Sequence, residues 1–102
     1  MGQYIYKLQA TRPSMLTEGP NPQEERALNA HVSYLNEQLA AGRVILFGRT
    51  QTTDEDTFGI VIFEAEDEHS AAQFMGADPA ISEAVMSARL WPYAISGMKV
   101  RE

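Results

Sequence analysis

The sequence of 102 residues contains no cysteine, and it has few basic residues. Without thiols the chain cannot form disulfides, thiolate nucleophiles, or zinc and iron–sulfur sites with cysteine ligands. Eight Lys and Arg residues stand against fourteen Asp and Glu residues, which gives a formal net charge of −6. Because phosphate backbones and anionic lipids attract surplus positive charge, we expect neither nucleic acid nor a membrane surface as a partner.

Long apolar runs are missing as well. The longest, at residues 44–47 and 60–63, are far shorter than the ~20 residues that a membrane-spanning helix needs. No apolar stretch follows a basic one at the N-terminus, so we expect no signal peptide and a cytoplasmic location. The apolar share of 44% and charged share of 22% are typical of a globular domain, and the length predicts one domain over residues 1–102.

The alternation of strand-like and helix-like segments predicts the fold class. A helix is predicted to begin at Pro22, because Asn21 and Glu24 form a capping-box pattern, and to end near residue 41, before Gly42. Aliphatic and aromatic runs predict strands at residues 4–10, 44–50, 57–64 and 88–96. The segments between them predict a loop at residues 11–22 and a second helix at residues 68–75. The order β-α-β-β-α-β predicts an α+β, ferredoxin-like fold.

The predicted second and third strands are apolar on both faces. In the third, Phe58, Ile60 and Ile62 alternate with Val61 and Phe63; in the second, Val44 and Leu46 alternate with Ile45 and Phe47. Two helices cover only one face of such a sheet, so we predict a homodimer whose sheets pack face to face. The alternative is that a long loop or the C-terminal tail covers part of that face. Pro92 predicts that the last strand bulges or lies at an edge.

One ionisable ring lies on the inner face of the predicted first helix. Leu28, Val32 and Leu35 form an apolar stripe at helical spacing, and His31 lies along it. A catalytic imidazole is usually oriented by a carboxylate, and Asp78 is a candidate because both helices cover the same sheet face. Such a pair suits general acid–base chemistry. The alternatives are a buried histidine bonded to a backbone carbonyl or a hydroxyl, and an aspartate that only caps the following helical turn.

Two arginines near predicted strand ends are candidate substrate-binding residues. Arg12 follows the first strand and Arg49 ends the second, and their guanidinium groups suit a carboxylate or phenolate. Ser14, in the same loop as Arg12, is a further candidate hydrogen-bond donor. The alternative for both arginines is a surface ion pair with an acidic residue. The two histidines, at positions 31 and 69, lack ligand-like spacing, and no Gly-rich phosphate loop occurs, so we expect no metal and no cofactor.

Longer stretches of the sequence resemble the YCII-related (YciI-like) family. The run TRPSMLTEGPNPQEERALNAHVSYLNEQLAAGRVILFGRT is similar to the first half of these proteins. The similarity lies in an Arg-Pro loop, a helix with a His before an aromatic-Leu pair, and an Ala-Gly turn into a strand that ends in Gly-Arg. The run TFGIVIFEAEDEHSAAQFMGADPA resembles their third strand, second helix and Asp-Pro turn. The resemblance extends from Tyr4 to about Ile95.

This resemblance implies a dimeric ferredoxin-like assembly of the α/β-barrel type, with an active site built on a His–Asp pair that His31 and Asp78 match. It also implies activity on a small, often aromatic molecule, and acid–base-assisted elimination by a lyase is the reaction we expect first. Two other hypotheses stay open. One is a non-catalytic domain that binds a small anion, and the other is a structural dimerisation module in which His31 belongs to the core.

Overall fold

One antiparallel sheet organises the computed structural model, which describes residues 1–99. Its strands are β1 (Gly2–Ala10), β2 (Val44–Arg49), β3 (Gly59–Ala65) and β4 (Met86–Tyr93). They lie in the order β2-β3-β1-β4, with every neighbouring pair antiparallel. The helices are α1 (Ser14–Thr17), α2 (Pro22–Ala40), α3 (Glu68–Gly76) and α4 (Pro79–Ser82). The α+β, ferredoxin-like fold class is confirmed, and the loop predicted at residues 11–22 contains the additional one-turn helix α1.

Local hydrogen bonds fix the start and end of the long helix α2. The Asn21 side chain accepts a hydrogen bond from the Glu24 backbone N–H, and the Glu24 carboxylate accepts one from the Asn21 backbone N–H, both at 2.8 Å. This reciprocal capping box satisfies two backbone donors that would otherwise lack partners. At the other end, Gly42 has a φ of +84°, a left-handed conformation that glycine adopts without strain and that stops the helix.

The pairing of β2 with β3 corrects one prediction about the sheet faces. Val44 lies opposite Phe63, but Leu46 lies opposite Ile62, so the register shifts between them. An extra residue in one strand reverses the side-chain alternation beyond it. Val44 and Leu46 therefore lie on opposite faces of the sheet, and the prediction that they share a face was wrong.

The last strand runs along an edge of the sheet, where a proline is tolerated. Pro92 lies in β4 opposite Tyr4 of β1, and β4 has only that one neighbouring strand. Because an edge strand leaves one row of backbone groups without ladder partners, the missing N–H of proline disrupts little there. The strand begins two residues before the predicted boundary and ends at Tyr93 rather than at residue 96.

The helices pack on one face of the sheet and form the core there. The Phe63 ring of β3 and the Phe74 ring of α3 stack with centroids 4.5 Å apart, and the Tyr6 ring of β1 meets Phe63 edge-on at 5.6 Å. Tyr6, Phe63 and Leu35 of α2 are fully buried. This aromatic and aliphatic layer joins the sheet to both long helices.

The other side of the sheet, here called the open face, carries apolar side chains of all four strands. Cross-strand pairing aligns Ile62 with Ile5, and Ile5 with Trp91. The exposed fractions are 40% for Leu46, 36% for Trp91 and 45% for Tyr93. Soluble monomers rarely leave several large apolar side chains together in water. Among residues 1–99, no helix is both long and apolar enough to cross a membrane.

Candidate active site

Asp78 occupies the junction between α3 and α4 and is fully buried. Its Oδ1 accepts a hydrogen bond from the Ala80 backbone N–H at 3.0 Å, which caps α4. Its Oδ2 accepts a second one from the Tyr6 hydroxyl at 2.8 Å. The Asp-Pro sequence explains the position, since aspartate is a favoured N-cap and proline is favoured at the first helical residue. The cap places a carboxylate beneath the middle of α2.

The structure brings His31 and Asp78 into direct contact. His31 Nδ1 lies 2.7 Å from Asp78 Oδ1 and 2.9 Å from Oδ2. A carboxylate accepts hydrogen bonds, so Nδ1 carries the hydrogen that it donates to Asp78, and Nε2 is the remaining ring nitrogen. The His31 side chain is 15% exposed and Asp78 is not exposed. The contact spans 47 residues of sequence and exists because α2 packs against α4.

The charge of Asp78 acts on two nearby tyrosines. Burial, and then the charge and hydrogen bond of Asp78, raise the pKa of Tyr6 far above its ordinary value. Burial and then the same charge also raise the pKa of Tyr34, whose hydroxyl donates to the Phe74 carbonyl at 2.9 Å. Both phenols therefore stay protonated and act as donors. Within residues 1–99, every buried side-chain nitrogen and oxygen has a hydrogen-bond partner.

A cavity of about 550 Å³ lies beside the His31 ring. Its walls come from α1, α2, β1, the start of β4, and the two strands β2 and β3 with their connecting loop. Most of the lining side chains are apolar, among them Leu8, Met15, Leu28, Phe47, Phe58 and Met86. The polar lining consists of His31, Arg49, Thr52, Thr53 and Thr57. This volume accommodates a molecule of one or two rings.

Arg49 is the cationic side chain of this cavity. It ends β2 opposite Gly59 of β3, on the side of the sheet that faces the helices. Within residues 1–99 it forms no ion pair with a carboxylate. The structure therefore places Arg49 at the cavity wall, and its role in binding a substrate stays a prediction.

Arg12 and Ser14 do not line the cavity. Arg12 Nε donates to Glu24 Oε2 at 2.9 Å, Nη2 donates to the other carboxylate oxygen, and Nη1 donates to the Ser14 hydroxyl. This network links the loop after β1 to the first turn of α2. The ion pair that the sequence allowed as an alternative is thus what Arg12 forms, and its guanidinium faces Glu24 rather than the His31 ring.

Two features of the site are missing from the sequence predictions. Tyr6 reaches Asp78 from the sheet, and a tyrosine on the inward face of an apolar strand is a signal that a polar partner lies in the core. Thr52 and Thr57 contact each other through their hydroxyls at 2.7 Å and line the cavity, but nothing in the segment QTTDEDT marks them as pocket residues. His69 is exposed, and within residues 1–99 no group of acidic and histidine side chains has the arrangement of a metal site.

Together these features define a ferredoxin-like α+β protein with a part-buried His–Asp contact at the wall of an apolar cavity. The chain belongs to the family of the YCII-related domain, whose model matches residues 4–92. No curated protein is significantly similar to it in sequence.

Several solved structures resemble the chain at low sequence identity. The 5-chloro-2-hydroxyhydroquinone dehydrochlorinase TftG of Burkholderia phenoliruptrix AC1100, in complex with 2,5-dihydroxybenzoquinone, is 20% identical, with a TM-score of 0.63 over 89% of this chain and 93% of that one. A conserved protein of Methanosarcina mazei Go1 is 17% identical, with a TM-score of 0.50 over 92% and 94% of the two chains. A dimeric ferredoxin-like protein from an uncultured marine organism is 10% identical, with a TM-score of 0.48 over 99% and 100%.

The Arg12–Glu24 pair predicts a specific pH dependence of stability. Hydrogen bonds from Arg12 and then from the Asn21 backbone lower the pKa of Glu24 from 4.5 to about 2. Because the folded pKa is the lower one, the ionised carboxylate stabilises the fold above 4.5, and this contribution is lost as the pH falls towards 2. We expect Glu24→Gln to unfold at lower urea concentration than the parent at neutral pH, with the difference narrowing below pH 4.5.

Urea unfolding followed by Trp91 fluorescence over a pH series measures this difference. Glu25→Gln is the matched control, because Glu25 lies in the same helical turn but is exposed. A difference in unfolding urea concentration between Glu24→Gln and the parent that stays constant with pH would contradict the role of the Arg12–Glu24 pair. So would an equal narrowing of that difference for Glu25→Gln.

Proposed function

We propose that the protein is a small-molecule enzyme in which His31 is the general acid–base and Asp78 orients it. The observation that carries the proposal is the 2.7 Å contact between His31 Nδ1 and a fully buried carboxylate, in a ring that also lines a cavity of about 550 Å³. A carboxylate on one imidazole nitrogen fixes the tautomer and leaves the other nitrogen basic. A ring buried only for packing would have no need of a neighbouring cavity.

The reaction that fits this arrangement is a lyase-type elimination. His31 Nε2 accepts a proton from the bound substrate, a new double bond forms, and the leaving group departs with its bonding electron pair. Asp78 stabilises the imidazolium during this step, and His31 then releases the proton to the leaving group or to water. Arg49 stabilises the negative charge that develops on a substrate oxygen, since a guanidinium binds an oxyanion through charge-assisted hydrogen bonds.

The substrate class that we propose is a small ring with an ionisable oxygen and a leaving group. Apolar walls favour the ring, while Arg49 and the threonine hydroxyls favour the oxygen substituents. The dehydrochlorinase with the same fold gives a concrete probe, since its name identifies a chlorinated hydroxyhydroquinone as its substrate. Arg12 and Ser14 support the cavity from outside by holding the β1–α2 connection against Glu24.

Replacing the proposed acid–base tests the function directly. His31→Asn is expected to lower kcat/KM by about 10²–10⁴-fold, the usual contribution of a positioned acid–base group. The assay measures chloride released from 5-chloro-2-hydroxyhydroquinone, the compound in the name of the structural neighbour, and from a panel of chlorinated phenols and hydroquinones. His69→Asn is the matched control, because it removes an exposed histidine from the same chain, and it is expected to retain parent activity.

Two outcomes would contradict this proposal. Full activity in His31→Asn would exclude the acid–base role of His31. Saturable binding of 2,5-dihydroxybenzoquinone, the ligand named for the same neighbour, without turnover of any panel member would favour the alternative of a non-catalytic binding domain.

We also propose that a second copy of this chain covers the open face. Burying one large aliphatic side chain contributes about 1.5–3 kcal/mol. The open face offers exposed Leu46, Trp91 and Tyr93, with half-buried Ile5 and Ile60 beside them. Two copies related by a two-fold axis would bring this surface against itself, and two-fold pairing is the commonest way to build a homodimer. His31 belongs to α2, which covers the opposite face of the sheet, and the cavity reaches the open face at Ile60.

A charge on the open face is expected to separate the two copies. We predict that Leu46→Glu yields monomers, because a carboxylate cannot be buried between two apolar sheets without a partner. Leu39→Glu is the matched control: Leu39 is 42% exposed against 40% for Leu46, but it lies on α2. Light scattering after size exclusion at micromolar concentration measures the mass. A monomeric parent, or a dimeric Leu46→Glu variant, would refute the assembly.

A further inference from the structure

Tyr6 is a fully buried phenol that contacts the proposed catalytic pair from behind. It belongs to β1, and its hydroxyl donates to Asp78 Oδ2 at 2.8 Å. The same oxygen lies 2.9 Å from His31 Nδ1. Tyr6 is not among the cavity-lining residues, so it does not contact a bound substrate. Its effect on the reaction must pass through Asp78.

We propose that Tyr6 is a positioning residue of the His31–Asp78 pair, which holds the Asp78 carboxylate in the orientation that His31 needs and moderates its charge. The proposal rests on the proposed function for its kinetic consequence only. Its structural basis is a chain of contacts from Tyr6 through Asp78 to His31. The Tyr6 hydroxyl lies 2.8 Å from Asp78 Oδ2, and His31 Nδ1 lies 2.7 Å from Asp78 Oδ1.

Two fixed donors determine how the carboxylate is turned. Ala80 N–H holds Oδ1 at 3.0 Å and Tyr6 O–H holds Oδ2 at 2.8 Å. With both oxygens engaged, the carboxylate cannot rotate about its Cβ–Cγ bond, and both oxygens remain within 2.9 Å of Nδ1. The backbone donor alone would restrain only one oxygen. Tyr6 therefore supplies the second point of attachment.

The hydrogen bond also changes the electrostatics of the pair. A donor on Oδ2 takes up part of the carboxylate charge, so less of it is available to stabilise a protonated His31. The donor is permanent, because burial and the charge of Asp78 keep the pKa of Tyr6 far above its ordinary value. Loss of the hydroxyl would leave the carboxylate more strongly negative towards His31.

The other ionisable groups around the pair come from α2 and from both ends of β2. Besides burial, the charge of Asp78 raises the pKa of Tyr34 of α2, while that of Arg43 lowers it. The Tyr34 hydroxyl, however, donates its hydrogen bond to the Phe74 carbonyl. Arg43 precedes β2 and lies over the Phe74 ring, 5.3 Å from its centroid. Arg49 shares the cavity with His31. Tyr6 is distinct from all of these because its hydrogen bond ends on Asp78.

The test compares the protonation of His31 in two tyrosine variants, measured by NMR of its ring as a function of pH. In Tyr6→Phe, the His31 titration is expected to move to higher pH than in the parent. Tyr34→Phe is the matched control, since it removes a hydroxyl from the same core that does not bond to Asp78, and its His31 titration is expected to coincide with that of the parent. An unmoved titration in Tyr6→Phe, a move to lower pH, or equal moves in both variants would overturn the proposal.

A second measurement needs no substitution, and it applies if Tyr6→Phe does not fold. In the parent labelled with carbon-13 at tyrosine Cζ, the Tyr6 resonance is expected to shift over the pH range in which His31 titrates, through their shared Asp78 oxygen, and to shift more than the Tyr34 resonance. A Tyr6 resonance that does not change while His31 titrates would overturn the proposal.

The kinetic arm separates this proposal from the proposed function. If 5-chloro-2-hydroxyhydroquinone, the compound in the neighbour's name, or a related phenol is turned over, Tyr6→Phe is expected to lower kcat by about tenfold to a hundredfold with little change in KM. The acid limb of its pH–rate profile is expected to move with the His31 titration. If no panel member is turned over while the NMR shifts occur, the proposed function fails and the positioning role of Tyr6 stands. Turnover with an unchanged kcat and profile would overturn the positioning role alone.

Discussion

The burial of the Asp78 carboxylate is the constraint on which the rest of the structure depends. An isolated buried carboxylate is strongly unfavourable, so its charge must be met by hydrogen bonds and by a partner. Here the donors are the Ala80 backbone, the Tyr6 hydroxyl and His31 Nδ1. They come from α4, β1 and α2, so the carboxylate links the sheet to the helices at the point where the cavity begins. Asp78 therefore contributes both to the packing of the fold and to the proposed chemistry.

The two sides of the sheet differ in the side chains that they carry. Towards the helices, every buried side-chain nitrogen and oxygen of residues 1–99 has a hydrogen-bond partner, and the His31 ring also lines the cavity. On the open face the side chains are apolar, and three of the large ones are at least one-third exposed. The His31–Asp78 pair and the exposed apolar side chains therefore lie on opposite sides of the sheet. The family assignment and the fold are compatible with a reaction on the helix side of the sheet and with association through the open face.

The sequence allowed the main elements to be predicted because their signals are local. Asn21 and Glu24 are three residues apart and read directly as a capping box, and the order of strands and helices follows from short-range periodicity. The contact of His31 with Asp78 follows from the fold, since both helices pack on one sheet face. Arg49 was predicted from its place at a strand end, and that place does put it in the cavity.

The remaining features depend on contacts between distant parts of the chain. The register shift in β2 is decided by pairing with β3, so alternation within β2 alone assigned Leu46 to the wrong face. Many acidic residues were available to Arg12, and only the folded loop selects Glu24. The bond from Tyr6 to Asp78 spans 72 residues, and a tyrosine in an apolar strand indicates that some polar partner exists without saying which one.

The tautomer of neutral His31 decides whether the His31–Asp78 pair can act as proposed. Nitrogen-15 NMR of the two ring nitrogens distinguishes a protonated Nδ1 from a protonated Nε2, with exposed His69 as an internal reference. We expect His31 to carry its hydrogen on Nδ1, held by Asp78, with Nε2 unprotonated and free to accept a proton from a substrate. A hydrogen on Nε2, or the rapidly averaged pattern of a solvated histidine, would contradict it.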